Sequence, residues 1–266
     1  MHPIERLRYV ARSSGADQEL LVRETAGALA AFGWDPAGLV TACRRILDRH
    51  PEAGALWWLS ARVLTAGDPG AEAWAATEEL SADQTAVELA HALPEGATAC
   101  VLGWPETVGE ALTRRGDLEV LVVDARGEGA GLVRRLVAAD VEAVDVPMTG
   151  LGAAAAAGDL VLLGASAIGP TGFAGVAGSR AAAAVARQAG IAVWVVAGIG
   201  RLLPGPMWDA LVCRLDACGD AWENEDEVVP LDLVDRFAGP KGVETVEAGL
   251  GRTDCPIAPE LLRFPA

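Results

Sequence analysis

Positive charge is scarce in this sequence. Arginine and lysine together number 21 against 37 aspartates and glutamates, which gives a formal net charge of −16, and Lys241 is the single lysine. A surface this acidic repels nucleic-acid backbones and anionic membranes, so neither is an expected partner. A small phosphorylated ligand is compatible with the charge, because local arginines and helix ends override the overall field. The composition is typical of a bacterial, GC-rich genome.

Cysteine, histidine and long apolar runs are also in short supply. The five cysteines contain no C-x-x-C pair and the three histidines are isolated, so the sequence predicts neither a disulfide framework nor a metal site. No apolar run reaches the length of about 18 residues that a membrane span needs. The charged stretch 1–15 lacks the apolar segment of a signal peptide. We therefore expect a cytoplasmic protein with free thiols, no cofactor and no metal.

The first third of the chain is predicted to be helical. Apolar residues recur at helical spacing in Glu19–Phe32, and Asp35-Pro36 has the signature of a helix start. Further helices are predicted over Pro51–Thr65 and Pro69–Ala92. A run of helices without strands predicts a small helical bundle over residues 1–94.

Short β-rich runs alternate with helical segments after residue 94. Continuous apolar runs are typical of strands buried on both faces of a parallel sheet, and their alternation with helices predicts a doubly wound α/β fold over residues 95–266. The stretch Trp208–Cys218 is left open between strand and loop, and the acidic run Glu223–Glu227 is predicted to be solvated. The predicted strands are Ala97–Gly103, Leu118–Asp124, Ala143–Val146, Asp159–Gly164 and Ile191–Ala197.

Ligands of open parallel sheets bind outside the carboxyl ends of the strands. The glycine-rich segment Gly164–Ser179 follows one predicted strand and opens a helix at Gly178-Ser179. The free N–H groups and the dipole of a helix end favour an anion such as phosphate. The alternative is an ordinary connecting loop with a serine N-cap, and the pattern alone does not separate the two.

Three other strand-end loops carry candidate ligand groups. Arg126 follows the second predicted strand and Arg201 follows the fifth, where a guanidinium group can grip a phosphate. Thr107 follows the first strand. Each has an ordinary alternative, which is a solvated arginine in two cases and a helix-capping threonine in the third.

Four segments carry a family resemblance. Asp159–Ala197 is similar to a strand, GAD-x-I loop, helix and strand in that order, and Asp124–Arg126 lies where the family has ESRP or ETRP. Thr253–Glu260 resembles the ending FDxTPPELI, and Pro51–Leu64 resembles a helix whose arginine matches Arg62. The family is that of the initiation factor 2B alpha, beta and delta subunits, with methylthioribose-1-phosphate and ribose-1,5-bisphosphate isomerases. The resemblance implies a helical domain, a Rossmann-like ligand-binding domain and a homodimer.

The departures from the family pattern bear on activity. The isomerases use a cysteine on the loop after the first sheet strand and an aspartate in the GAD motif. Here Ser166 stands at the aspartate position, and a hydroxyl does not serve as a carboxylate acid/base at neutral pH. Cys100 lies upstream, inside the predicted strand, and is expected in the core. Gly175 and Val176 replace the family's Asn-Lys pair.

These features predict a divergent, non-catalytic or regulatory relative that binds a small phosphorylated ligand, either a sugar phosphate or a nucleotide. The first alternative is an aldose–ketose sugar-phosphate isomerase with relocated acid/base groups, for which Asp254, Ser166 and Glu106 are the candidates. The second alternative is a protein-binding subunit whose crevice is filled by Trp104 or Phe173. The predicted ligand-binding residues are Arg62, Thr107, Arg126, Gly164, Ser166, Gly178, Ser179 and Arg201.

Overall fold

The structure is a computed structural model that describes residues 18–32, 35–217 and 219–262. The stretch 1–15, on which the expectation of no signal peptide depends, lies outside these residues, as does Cys218. No helix in the described ranges is long and apolar enough to cross a bilayer. Within the same ranges, the helices before the first strand are α1 (Gln18–Leu29), α2 (Pro36–Leu47), α3 (Gly54–Thr65), α4 (Pro69–Ser81) and α5 (Thr85–Ala92).

Aspartates fix where some of these helices begin. Asp35 Oδ1 accepts a hydrogen bond from the N–H of Gly38 at 3.0 Å, which confirms the helix start predicted at Asp35-Pro36. The prediction of one helix over Pro69–Ala92 is wrong, because α4 and α5 are separate. Between them, Asp83 Oδ1 accepts from the N–H of Thr85 at 2.9 Å and its Oδ2 accepts from the N–H of Ile199 at 2.8 Å. Apolar periodicity does not reveal such a turn.

Strands and helices alternate in the rest of the chain. The helices are α6 (Glu106–Leu112), α7 (Gly129–Val137), α8 (Leu151–Ala157), α9 (Ser179–Ala189), α10 (Gly205–Asp216) and α11 (Val246–Leu250). The strands are β1 (Thr98–Leu102), β2 (Glu119–Asp124), β3 (Glu142–Pro147), β4 (Leu160–Gly164), β5 (Ala167–Ile168), β6 (Gly172–Val176), β7 (Ala192–Val196), β8 (Asp226–Pro230), β9 (Arg236–Gly239) and β10 (Gly242–Glu244).

The central sheet is mostly parallel. In the described part of the chain its order is β10-β9-β7-β4-β1-β2-β3, and each neighbouring pair is parallel except β10 and β9. Such a sheet brings the carboxyl ends of β1, β2, β4 and β7 to one edge. The predicted α/β class, with N-terminal helices followed by a doubly wound parallel sheet, is confirmed.

Helices cover both faces of this sheet, which explains the continuous apolar runs of its strands. Val101 and Val122 face α5, α6 and α7, whereas Cys100 and Val123 face α8 and α9. Cys100 is fully buried, as the sequence predicts, and burial raises the pKa of its thiol to about 12. A thiol in that state is not a nucleophile at neutral pH.

The segment Gly164–Ser179 is not a simple loop. It folds into a hairpin of β5 and β6, and β8 extends the hairpin into a second, antiparallel sheet in which Val176 lies opposite Asp226. The glycines of β6 have low strand propensity, so the pairing with a strand some fifty residues later decides the conformation here.

The C-terminal region completes the core of the N-terminal helices. Trp208–Cys218 is neither strand nor loop: its residues up to Asp216 belong to α10, whose buried Trp208, Leu211 and Leu215 are spaced as on one helix face. These side chains pack with α1 to α4, as do Cys255 and Leu261 from the tail. The division into residues 1–94 and 95–266 therefore stays a prediction.

Candidate functional site

A cavity of about 350 Å³ lies at the carboxyl edge of the central sheet. It is lined by the ends of β1, β4 and β7 and the loop after β2, and on the helical side by α1 and the segment between α2 and α3. Most of the residues predicted from the sequence as binding or catalytic groups line this cavity. They are Glu106, Thr107, Arg126, Gly164, Ser166, Ser179 and Arg201.

The backbone amides at the start of α9, which were expected to bind an anion, are hydrogen-bonded to a glutamate side chain of the same protein. Gly178 adopts the left-handed backbone conformation with φ 100°, and its N–H donates to Glu227 Oε1 at 2.8 Å. The N–H of Arg180 donates to the same oxygen at 2.9 Å. The prediction that this helix end presents bare amides to a ligand is therefore wrong, and Gly178 does not line the cavity.

The acidic run that was predicted to be solvated supplies that carboxylate. Because β8 pairs with β6, it carries Glu227 to the helix end, where a negative charge is favoured by the helix dipole. The neighbouring Asp226 turns to the cavity and pairs with Arg126, with 2.7 Å between Oδ1 and Nη2. Arg126 Nη2 also donates to the backbone oxygen of Glu225 at 3.0 Å. Burial raises the pKa of Asp226, and the charge of Arg126 partly opposes this.

Glu52 and His50 line the cavity, although the sequence analysis did not select them. His50 Nδ1 lies 3.9 Å from Glu52 Oε1, and the Glu52 side chain is 31% exposed. Burial is the main cause that raises the pKa of Glu52 to about 7; the charges of Asp226 and Glu225 act in the same direction, whereas a backbone hydrogen bond and the charge of Arg126 oppose it. The sequence feature that could have drawn attention to Glu52 is its position just before the strongly apolar helix α3.

The hydroxyl groups at the hairpin are tied to its backbone. Ser166 Oγ donates to the oxygen of Ala174 at 3.1 Å, and Ser179 Oγ donates to the oxygen of Val176 at 2.6 Å. Both hydroxyl oxygens retain acceptor capacity. Arg201 Nη1 donates to the oxygen of Ala165 at 3.2 Å, which fixes this guanidinium group at the cavity wall.

Gly164 is required for packing as well as for the shape of the cavity. A Cβ atom at this position would lie 2.4 Å from Cβ of Pro105. The close approach of β4 to the loop after β1 therefore depends on glycine, and no ligand is needed to explain it.

Arg62 and Asp254 do not line the cavity but belong to a separate group, which we call the Trp58 cluster. It consists of Trp58, Arg62, Glu72, Glu79 and Asp254. The Arg62 guanidinium lies 4.5 Å from the Trp58 ring centroid and pairs with Glu72 and Glu79, and Trp58 Nε1 donates to Asp254 Oδ1 at 3.2 Å. Shielding of its carboxyl group from water raises the pKa of Asp254, although the residue as a whole is exposed.

The charges of the cavity are mixed. Among the described residues, the carboxylates of Glu52, Glu106, Glu128 and Asp226 and the guanidinium groups of Arg126 and Arg201 line it. No set of three or more His, Cys, Asp or Glu side chains in the described ranges is arranged to hold a metal ion. The arrangement suits a small polar molecule that carries one anionic group together with hydroxyl or amino groups.

No protein-family model matches the chain, and no curated protein matches its sequence. Solved structures match its fold closely. Translation initiation factor eIF-2B from Pyrococcus horikoshii OT3 superposes with a TM-score of 0.77 at 14% identity, covering 93% of this chain and 98% of that one. The eIF2B beta subunit from Chaetomium thermophilum gives 0.70 at 19% identity, covering 97% and 91%.

An isomerase has the same architecture. The 5-methylthioribose 1-phosphate isomerase of Pyrococcus horikoshii OT3 superposes with a TM-score of 0.63 at 17% identity, covering 92% of this chain and 85% of that one. At these identities the comparison concerns the fold. The chain therefore shares the fold of the initiation factor 2B subunits and of this isomerase, as the resemblance of its sequence motifs predicts.

Proposed function

We propose that the chain binds a small phosphorylated molecule, a sugar phosphate or a nucleotide, in the cavity at the carboxyl edge of the sheet. The observation that carries this proposal is the convergence of Arg126 and Arg201 with the hydroxyl-bearing Thr107, Ser166 and Ser179 on one cavity. The anchor for the phosphate is the arginine pair, since Glu227 closes the end of α9.

The acidic groups of the cavity suit the other half of such a ligand. Carboxylates accept hydrogen bonds from sugar hydroxyls or base amino groups, and Glu52, Glu106 and Glu128 line the same space. Arg126 keeps its ion pair with Asp226, so an incoming phosphate shares this guanidinium with a carboxylate. We therefore expect modest affinity and a preference for ligands with one phosphate group over bisphosphates and polyphosphates.

Calorimetric titration with ribose 5-phosphate and adenosine 5′-monophosphate tests the proposal. We expect at least one of these probes to bind, and the double substitution Arg126→Ala with Arg201→Ala to weaken binding about tenfold or more, because charge-assisted hydrogen bonds are lost. Arg114→Ala is the matched control, since Arg114 is exposed and pairs with Glu110, four residues before it on the surface. Binding that the double variant leaves unchanged contradicts the proposal, as does no heat at millimolar probe.

Ser166 stands where the family's isomerases have their aspartate, so the cavity lacks that acid/base group and the proposal here concerns binding. The isomerase alternative needs another acid/base group in the cavity, and Asp254 is outside it. Glu106 lines the cavity, but its Oε1 is already paired with Arg135 Nη1 at 2.9 Å. A relocated chemistry therefore has to draw on a residue that the family motifs do not mark.

The protein-binding alternative and the homodimer stay predictions. A crevice filled by Trp104 or Phe173 would favour the first, but Phe173 is buried in the sheet core and Trp104 lines a cavity that is open to a ligand. One solved structure that matches the fold of this chain is a tetrameric eIF2B-beta2-delta2 complex from Chaetomium thermophilum. We extend self-association to this chain as a proposal on that likeness of fold.

A further inference from the structure

Among the described residues of the helical region, Glu52 is the one carboxylate that lines the cavity. It lies in the turn between α2 and α3, and this turn is fastened to the hairpin: the N–H of Gly54 donates to the oxygen of Ser166 at 3.0 Å. Glu52 thereby lines the same cavity as the ends of β1 and β4. No described ion pair with arginine or lysine reaches it within 4.0 Å.

Several charged groups face Glu52 from the elements around it. His50 from the same turn is 3.9 Å away, measured from Nδ1 to Oε1. Asp226 and Glu225 at the start of β8, and Arg126 after β2, act on it through their charges. Glu106, Glu128 and Arg201 line the same cavity from other loops. A partly buried carboxylate among more acidic than basic neighbours holds a proton more readily than a surface glutamate does.

We propose that Glu52 is the proton-transfer residue of this cavity and acts on a small phosphorylated carbonyl compound. The proposal rests on the proposed function, because the arginine pair has to hold the phosphate. It assigns the acid/base role to the helical side of the cavity, at a carboxylate that no sequence motif marks. A carboxyl group with a pKa of about 7 is half ionised at neutral pH and is suited to both accepting and returning a proton.

The step needs no oxidant or second substrate. A Glu52 oxygen takes the proton from the carbon next to the carbonyl, the electron pair of that C–H bond forms the carbon–carbon double bond, and the carbonyl π electrons move to its oxygen. Hydroxyl or guanidinium hydrogens that line the cavity stabilise that oxyanion. Glu52 then returns a proton to either carbon. Return to the same carbon, with the oxyanion reverting to the carbonyl, gives isotope exchange. Return to the former carbonyl carbon gives the isomer once the hydroxyl proton of the neighbouring carbon has moved to the oxyanion, so that the neighbouring carbon becomes the new carbonyl.

Hydrogen exchange in deuterium oxide measures this step directly. The full chain is incubated with dihydroxyacetone phosphate or ribose 5-phosphate, and loss of the C–H signal is followed by proton NMR. We expect the Glu52→Gln variant to lose about 100-fold or more of the exchange rate while its probe affinity stays within about threefold. Glu52→Asp is expected to restore part of the rate. Identically purified Arg114→Ala controls for contaminating isomerase.

The pH profile separates proton transfer from a structural role. The base must be deprotonated, so the exchange rate is expected to rise with pH and to level off above about 7, following the raised pKa of Glu52. Probe binding without exchange, exchange that survives Glu52→Gln, or exchange lost in Glu106→Gln instead would each overturn the Glu52 assignment and leave the binding proposal intact. No binding and no exchange with either probe rejects both.

Discussion

The cavity and the Trp58 cluster are built from the same chemical parts. Each contains arginine, carboxylates and a tryptophan, and in each a carboxyl pKa is raised. In the Trp58 cluster, Arg62 lies on the ring and is saturated by Glu72 and Glu79. In the cavity, Glu52 faces open space with a histidine at 3.9 Å.

The difference shows that residue type does not separate a structural cluster from a binding site. Both Arg62 and Arg126 match arginines of the same resembled family, yet only Arg126 lines a cavity. What distinguishes them is the space beside the charged group. Both guanidinium groups pair with carboxylates of their own chain, but Arg62 is enclosed between Trp58, Glu72 and Glu79, whereas Arg126 also borders a cavity that can admit a ligand.

The largest effect is expected from Arg62→Ala, which tests the structural side of this comparison. The substitution removes two ion pairs and the contact with Trp58, and it leaves Glu72 and Glu79 near Asp254 without a counter-charge. We expect the free energy of unfolding to fall by about 2 to 3 kcal/mol in urea denaturation. Affinity for a probe that binds in the cavity should stay unchanged.

Arg114→Ala is again the control, because its exposed pair with Glu110 contributes about 0.5 kcal/mol or less. If Arg62→Ala is no more destabilising than this control, or if it abolishes probe binding while the fold persists, then the Trp58 cluster is not the structural group described here.

A smaller effect on stability is expected from Glu227→Ala, which tests whether the Glu227 carboxylate caps the N-terminus of α9. The substitution removes the acceptor for the N–H groups of Gly178 and Arg180 and the negative charge at the helix dipole. Stability should fall by about 1 kcal/mol, as for the loss of a helix cap. Glu223→Ala, in the same acidic run but exposed, should change thermal unfolding little. Equal stability of the two variants would argue that the cap at Glu227 is unimportant.

The fold was largely predictable because its signals are local. The continuous runs in β2, β4 and β7 and the Asp35-Pro36 helix start each depend on a few neighbouring residues. The helix Gly205–Asp216 also carried a signal, the spacing of Trp208, Leu211 and Leu215, that the prediction of strand or loop missed. The hairpin was not predictable in this way, since its glycine-rich strand is defined by pairing with β8.

The site was predictable in part for a related reason. Parallel strands end at a common edge, so the loops holding Thr107, Arg126, Ser166 and Arg201 meet, as the topology requires. The role of Glu227 depends on β8 joining the hairpin, a contact between distant parts of the chain. Glu52 lies on the helical side of the cavity. The rule that ligands bind at the carboxyl ends of parallel strands makes no prediction about residues on that side.

Mapping of ribose 5-phosphate binding by backbone amide NMR shifts tests the central claim most directly. The account predicts shifts at Thr107, Arg126, Ser166 and Arg201, with the amides of Gly178 and Arg180 and the Trp58 indole N–H undisturbed. Large shifts at Gly178 and Arg180, signifying that phosphate displaces Glu227 from the end of α9, or shifts confined to the Trp58 cluster, would contradict it.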